Sequence, residues 1–430
     1  MNKHETRMNT MINVIEEHGC IQQEKVTEFA EKARAFIDRY DYVEVRFIGL
    51  NHMGSYLHWI TAVNRCGKDT GTYYLFCNYP ADGLSWLGVN PSITEKLDLE
   101  GISVVSNHNV DFWKYMMHNY RSLFVYITDY INENEIGNRQ YMNGHIDFNR
   151  SYVYYSPEEE QELERKKQEL GIGDKYICIS VRDSSYTRDI LRRDDACFKQ
   201  EIGDAYRNGD ITSFRKVADY YRKKGYQLVR MGAKVEEKFD YPGVIDYAVM
   251  DRNEEMDLYI TKGADFFISD QSGIQALPLL VCVPIVYYNA QCFLLANDLG
   301  VAGDKTRDLI IYKKFFDEKT KSILPLRKVL EIEKEALEVA VMTNSPSNYV
   351  TYEIYDKLGI RCIDNTPEEI LSVSVEMYEW LKGSQNNNQA YYDRERIHNE
   401  IKKSFYSFGY TDVGVRIGEQ YLLENEWLVS

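Results

Sequence analysis

The chain has 430 residues, 44% hydrophobic and 27% charged. That composition fits a globular protein of two to three domains of ~100–200 residues each and excludes a disordered or fibrous one. Lys and Arg number 51 against 67 Asp and Glu, a formal charge of -16, which argues against nucleic-acid binding, since that needs cations to neutralise phosphates.

Residues 1–17 are polar and mixed in charge, without the apolar core of a signal peptide. Val26, Phe29, Ala30, Ala33, Ile37 and Tyr40 recur at helical spacing, so a helix is expected over 24–40. Strand-like runs follow at 42–50, 73–77 and 101–106, with a helical stretch at 56–63, while 123–131 fits either state. Ser156-Pro157-Glu158-Glu159-Glu160 opens a linker helix whose acidic first turn suits the helix dipole. Beyond it, strands are expected at 176–181, 227–231, 244–248, 265–269 and 285–288. Helices are expected at 214–224, 254–262 and 274–281. Continuous apolar strands alternating with helices indicate an α/β protein whose parallel sheet is covered on both faces. The domains expected are 1–165, 166–383, and a helical tail, 384–430, packing back on the N-terminal domain. The most apolar run, Ala276 to Tyr288, contains Pro278 and Pro284 and is shorter than the ~20 residues of a membrane span. The expectation is therefore a soluble, cytoplasmic protein.

In parallel α/β sheets ligands sit beyond the carboxyl ends of the strands. Those ends carry Arg182-Asp183-Ser-Ser-Tyr186-Thr-Arg188, then Arg230-Met231-Gly232, then Asp270-Gln271-Ser272-Gly273-Ile274, then Asn289. Arginines and a small polar turn opening a helix are what a diphosphate needs, through bidentate guanidinium contacts and exposed N–H donors. Residues 182–234 hold 13 Lys and Arg against 8 Asp and Glu, a basic island in an acidic chain. Each piece also has a structural reading, with Arg182 paired to Asp183 or Asp189, Arg230 closing a strand, and Asp270 capping a helix.

Other signals fail. Gly300-Val-Ala-Gly-Asp-Lys305-Thr306 has Asp304 where a phosphate-binding loop needs its last glycine. The 8 cysteines form no C-x-x-C pair and the 8 histidines no H-x-x-x-H or H-E-x-x-H set, so no metal is expected. Tyr is unusually frequent, at 35 residues. Its flat face suits sugars and bases, and a coding bias accounts for it equally well. Tyr186 is the tyrosine expected to touch a ligand.

The segments Ile179-Ser-Val-Arg-Asp-Ser-Ser-Tyr-Thr-Arg188, Gly225-Tyr-Gln-Leu-Val-Arg-Met-Gly232, Ile245-Asp-Tyr-Ala248 and Phe266-Phe-Ile-Ser-Asp-Gln-Ser-Gly-Ile274 resemble those of a bacterial glycosyltransferase family of surface polysaccharide synthesis. The likeness is strong over about 150–290, extends to Tyr421-Leu-Leu-Glu-Asn-Glu-Trp-Leu, and is sparse elsewhere. It implies a GT-B fold of two facing Rossmann-like domains, with the nucleotide-sugar donor held by the C-terminal one. It implies no cofactor or metal, a glycan or lipid-linked acceptor, and a peripheral contact with the inner membrane face. Arg182, Asp183, Tyr186, Arg188, Arg230, Met231, Gly232, Asp270, Gln271, Ser272, Gly273, Ile274 and Asn289 become the donor-binding set, with Arg182 and Arg230 also catalytic. Relatives carry a Gly-His pair in the first N-terminal turn. Here that turn reads His52-Met-Gly54-Ser55, so His52 and His58 are the candidate general bases, and His52, Gly54 and Ser55 the acceptor side. The rivals are a nucleotide-sugar epimerase or hydrolase on the same fold, and a non-catalytic nucleotide-sugar-binding relative.

Overall fold

A computed structural model describes residues 9–13, 24–39, 43–49, 73–79, 96, 102–106, 115, 116, 118–120, 151, 153–185, 205–290, 308–343, 345, 347–383, 399, 401, 403 and 415–429. The chain divides into two units, 1–158 and 159–430. In the first, helix α1 (Glu24–Ile37) precedes strands β1 (Val43–Gly49), β2 (Tyr73–Tyr79) and β3 (Ile102–Ser106). The strands pair in parallel in the order β1-β2-β3. Ala30, Ala33 and Ile37 are buried on one face of α1, at the spacing an amphipathic helix requires.

The second unit opens with α2 (Pro157–Glu169). Gly171, at φ +78, ends it, and the Ile172 N–H returns to the Lys167 carbonyl at 3.2 Å, a left-handed stop that suits glycine. There follow β4 (Tyr176–Ile179), α3 (Arg215–Lys223), β5 (Gln227–Arg230), β6 (Val244–Ile245), α4 (Glu254–Lys262), β7 (Phe267–Ser269), α5 (Ala276–Leu280), β8 (Ile285–Ala290) and β9 (Leu309–Tyr312). Next come β10 (Lys314–Asp317), β11 (Ser322–Ile323), α6 (Leu326–Thr343), α7 (Ser347–Leu358), β12 (Ile360–Ile363), α8 (Pro367–Leu381), β13 (Arg416–Ile417) and α9 (Glu419–Glu424).

Seven of these strands form one sheet in the order β6-β5-β4-β7-β8-β9-β13, every pairing parallel. Counted from β4, the first six run 3-2-1-4-5-6, the order of the doubly wound α/β fold. Every residue of β4, β8 and β9 is buried, the continuous apolar pattern of strands covered on both faces. The strand order reverses between β4 and β7. In open α/β sheets a ligand sits in the crevice beyond the carboxyl ends of the strands at such a point.

Tyrosines fill much of this core. Tyr221 packs edge-on against Tyr220, Tyr226, Phe266 and Tyr378 at centroid distances of 5.1–6.0 Å. A buried phenol needs a partner for its hydroxyl, and backbone carbonyls supply it. Tyr176 donates to Ile260 at 2.7 Å, Tyr221 to Ser374 at 2.7 Å, Tyr288 to Ser180 at 3.2 Å and Tyr421 to Tyr312 at 2.6 Å. Each bond rivets one element to another distant in sequence.

The structure departs from expectation in three places. The strand expected over 244–248 is only β6, because Tyr247–Val249 turns into a 3-10 helix. The helix expected over 274–281 is a 3-10 turn, Gly273–Gln275, followed by five-residue α5. Pro278 explains the break, since its ring would clash with the carbonyl four residues back in a continuous α-helix. An antiparallel sheet, β11-β10-β12, follows the main sheet. The linker helix packs on the second unit, where Glu164 accepts from the Tyr259 hydroxyl at 3.1 Å and Glu160 pairs with Lys262. Residues 415–429 also build that unit. β13 extends the main sheet beside β9, and the Arg416 guanidinium lies 3.3 Å from the Trp380 ring centroid. Among the described residues, no helix is long and apolar enough to cross a membrane.

Candidate functional site

The two strands flanking the reversal end in small polar residues. Ser180 and Ser269 hydrogen-bond through their hydroxyls at 2.9 Å, both buried. Beyond them the chain gives Arg182 on one side and Asp270-Gln271-Ser272-Gly273 on the other. The Asp270 carboxylate accepts the backbone N–H of Arg182, so the two loops are locked together across the reversal. Asp270 is 1% exposed. Burial pushes its carboxyl above the ordinary carboxylate range, opposed by the Arg182 N–H, by Ser272, and by the charges of Arg182 and Arg207. Its second oxygen has no hydrogen-bond partner.

A third segment, 205–210, crosses the same strand ends. The Gly209 N–H donates to the Arg182 carbonyl at 3.0 Å, and the Arg182 guanidinium donates to Asn208 Oδ1 at 2.6 Å. The Arg207 guanidinium donates to the Gln271 carbonyl. Two half-buried arginines therefore converge on the reversal point, one from the loop after β4 and one from this strap. Both act electrostatically on Asp270.

Beside them the turn Ser272–Ile274 is open. Gly273 is exposed, and a Cβ built on it would meet nothing within 4 Å. The first hydrogen bond inside the turn is from Gln275 N–H to the Ser272 carbonyl at 3.2 Å. The N–H groups of Gly273 and Ile274 precede that bond and are the usual orphan donors of a helical start. Because the turn is 3-10 and α5 has five residues, it offers N–H donors and little macrodipole.

The other expected residues support this arrangement from behind. Asp183 does not pair with Arg182. Its carboxylate accepts the Ser185 N–H at 2.9 Å and the Glu236 N–H at 2.8 Å, tying the loops after β4 and β5 together. Arg230 is 2% exposed and points into the protein. It donates to the Glu237 carbonyl at 2.6 Å and pairs with buried Asp246 at 3.3 Å. In this conformation it holds the 231–246 loop. Met231 is buried, its N–H on the Ile179 carbonyl at 2.8 Å. A Cβ on Gly232 would come within 2.9 Å of Val235 Cγ1 and 3.4 Å of Ala248 Cβ, so this glycine serves close packing. Asn289 sits at φ +48, where the register of β8 against β9 shifts. It exchanges two 2.6 Å hydrogen bonds with Asn365, each side chain accepting the other's N–H.

Tyr186 and Arg188 lie outside the described residues, as do His52, Gly54, Ser55 and His58. The basic island divides. Arg222, Lys223 and Lys224 end α3 and lead into the start of β5, at the opposite end of the parallel strands from Arg182 and Arg207. Asp257, an acidic residue of the first turn of α4, is paired with Arg252. The sequence reading passed over Arg207, Asn208, Lys313, Asp364 and Asn365. The available signal was polar residues directly after the apolar run 309–312 and after Ile360-Arg-Cys-Ile363.

No family model matches the chain, and no curated protein does. Its neighbours among solved structures are glycosyltransferases. One is the iron-containing dodecameric glycosyltransferase TibC from enterotoxigenic E. coli H10407, with 15% identity, a TM-score of 0.32 and 60% of each chain covered. Another is a glycosyl transferase family 9 protein from Veillonella parvula DSM 2008, with 11% identity, a TM-score of 0.39, and 80% of this chain and 97% of that one covered. A TibC complex with ADP-D-beta-D-heptose gives 14% identity, a TM-score of 0.31 and 57% of each chain. The chain thus spans three fifths or less of the length of TibC. Likeness this distant leaves the functional argument on the residues of this chain. Among the described residues, no cluster of three or more His, Cys, Asp or Glu could hold a metal ion.

Proposed function

We propose that the chain is a GT-B glycosyltransferase that moves a sugar from a nucleotide-diphosphate donor to a glycan or lipid-linked acceptor in surface polysaccharide synthesis. The observation carrying this reading is the convergence of Arg182 and Arg207 on the strand-order reversal, beside the open Ser272–Ile274 turn. One acceptor of each is neutral, an amide oxygen for Arg182 and a backbone carbonyl for Arg207. A diphosphate oxygen is a charged acceptor and forms the stronger bond. Negative charge builds on the leaving diphosphate as the glycosidic bond breaks, so preorganised cations there lower the barrier. In this reading the two arginines supply that charge without a metal, the reaction is cytoplasmic, and His52 or His58 serves as base. Asp183, Asp270 and Asn289 shape the site, and Arg230 braces it from behind.

A thermal-shift panel of nucleotide-diphosphate sugars tests it. A ligand at 100 times its Kd stabilises by about 2.7 kcal/mol, a rise of roughly 5–10 °C. At least one donor is expected to give such a rise, and a flat panel refutes the reading. Incubation with that donor alone separates the enzyme classes, because an epimerase or hydrolase consumes it without acceptor and a transferase leaves it intact.

A further inference from the structure

Lys313 lies between β9 and β10, where the chain leaves the main sheet, and its backbone N–H donates to the Ala290 carbonyl at 2.8 Å. Its side chain is 2% exposed. An ammonium in such a place is costly unless every donor is engaged. All three are. Nζ lies 2.8 Å from the Tyr206 carbonyl, 3.3 Å from the Asn208 carbonyl and 2.6 Å from Asp364 Oδ1. Its two carbonyl partners flank Arg207 in the strap. The same strap supplies the Asn208 amide that engages Arg182.

We infer that Lys313 is the positioning residue of the anion site: by gripping the carbonyls on either side of Arg207, it fixes the strap so that Arg207 faces the leaving diphosphate. The inference rests on the diphosphate reading proposed above. An apolar side chain could fill the same volume at less desolvation cost, and it could not hold two carbonyls and a carboxylate at once. Lys313 does its work through Arg207 and does not touch the ligand.

The test is a double-mutant cycle on the full chain, with pyrophosphate as probe and calorimetry as readout. Lys313→Met and Arg207→Gln are each expected to weaken pyrophosphate binding by about tenfold. The pair together should bind within about twofold of Arg207→Gln alone, since residues acting through one another do not add. Additive losses, or unchanged affinity in Lys313→Met, would overturn the inference and leave the diphosphate reading standing. Absence of pyrophosphate binding in the wild type would overturn both. Should Lys313→Met not fold, Asp364→Asn reads the same coupling. Asp364 is 45% exposed at its side chain, and its replacement leaves the ammonium and both carbonyls in place. A loss of about threefold is expected, absent in the Arg207→Gln background. A loss that persists there overturns the inference.

Discussion

Arg230→Ala separates two roles for a strand-end arginine. By motif, Arg230 belongs to the donor site, and its removal would abolish turnover with the fold intact. By geometry, it is buried against Asp246 and holds the Glu237 carbonyl. Removing one member of a buried pair leaves the other charged and uncompensated, at a cost of ~3–5 kcal/mol. The lower end applies, because Arg230 Nε and Asp246 Oδ1 have no partners and the Phe239 N–H still reaches Asp246 at 2.6 Å. For a unit of this size ~3 kcal/mol lowers Tm by about 10 °C. Calorimetry should show that drop in Arg230→Ala. Arg230→Met with Asp246→Asn should recover much of it, since no bare charge remains and Asn can still accept the Phe239 N–H. A single variant melting within about 2 °C of wild type would show that Arg230 does not pair inward, and the motif assignment would return.

Two further outcomes follow from the packing and the ionisation. A Cβ on Gly263 would lie 2.4 Å from the Tyr176 hydroxyl oxygen, so Gly263→Ala should cost ~1–3 kcal/mol in urea unfolding, and Tyr176→Phe in the same chain should relieve part of it. The pKa of Asp270 is raised by burial, so its carboxyl favours the folded state while protonated, and that favour is lost as pH rises through the folded pKa. Asp270→Asn should therefore match wild type in Tm at the acid end and gain on it as pH rises from the ordinary carboxylate range, whereas a constant gap across pH contradicts the assignment.

Local pattern made α4 readable. Its apolar spacing is clear, and Asn253 caps it by accepting the Met256 N–H at 2.9 Å. The apolar run of β4 and the Leu228-Val229 centre of β5 were readable for the same reason, as were the loops that follow them. Strand order was not readable, because the β4–β7 pairing joins Cys178 to Phe267 across a long stretch of chain. The inward turn of Arg230 depends on Asp246, which a strand-end motif does not reveal. Arg207 and Lys313 escaped because their partners, the Gln271, Tyr206 and Asn208 carbonyls and Asp364, are distant in sequence. The short strands β10, β11 and β12 carry too few residues to show a period. Tyr176, Tyr221 and Tyr288 are structural, their hydroxyls spent on backbone carbonyls.

On the function proposed, a nucleoside diphosphate group sits at the β4–β7 reversal on Arg182 and Arg207. Calorimetric titration of ADP, GDP and UDP into the wild type and into Arg182→Ala tests it most directly. At least one nucleotide should bind the wild type, and that affinity should fall at least tenfold, about 1.4 kcal/mol, in Arg182→Ala. Binding of equal strength in both proteins, or no binding by any of the three, would contradict it.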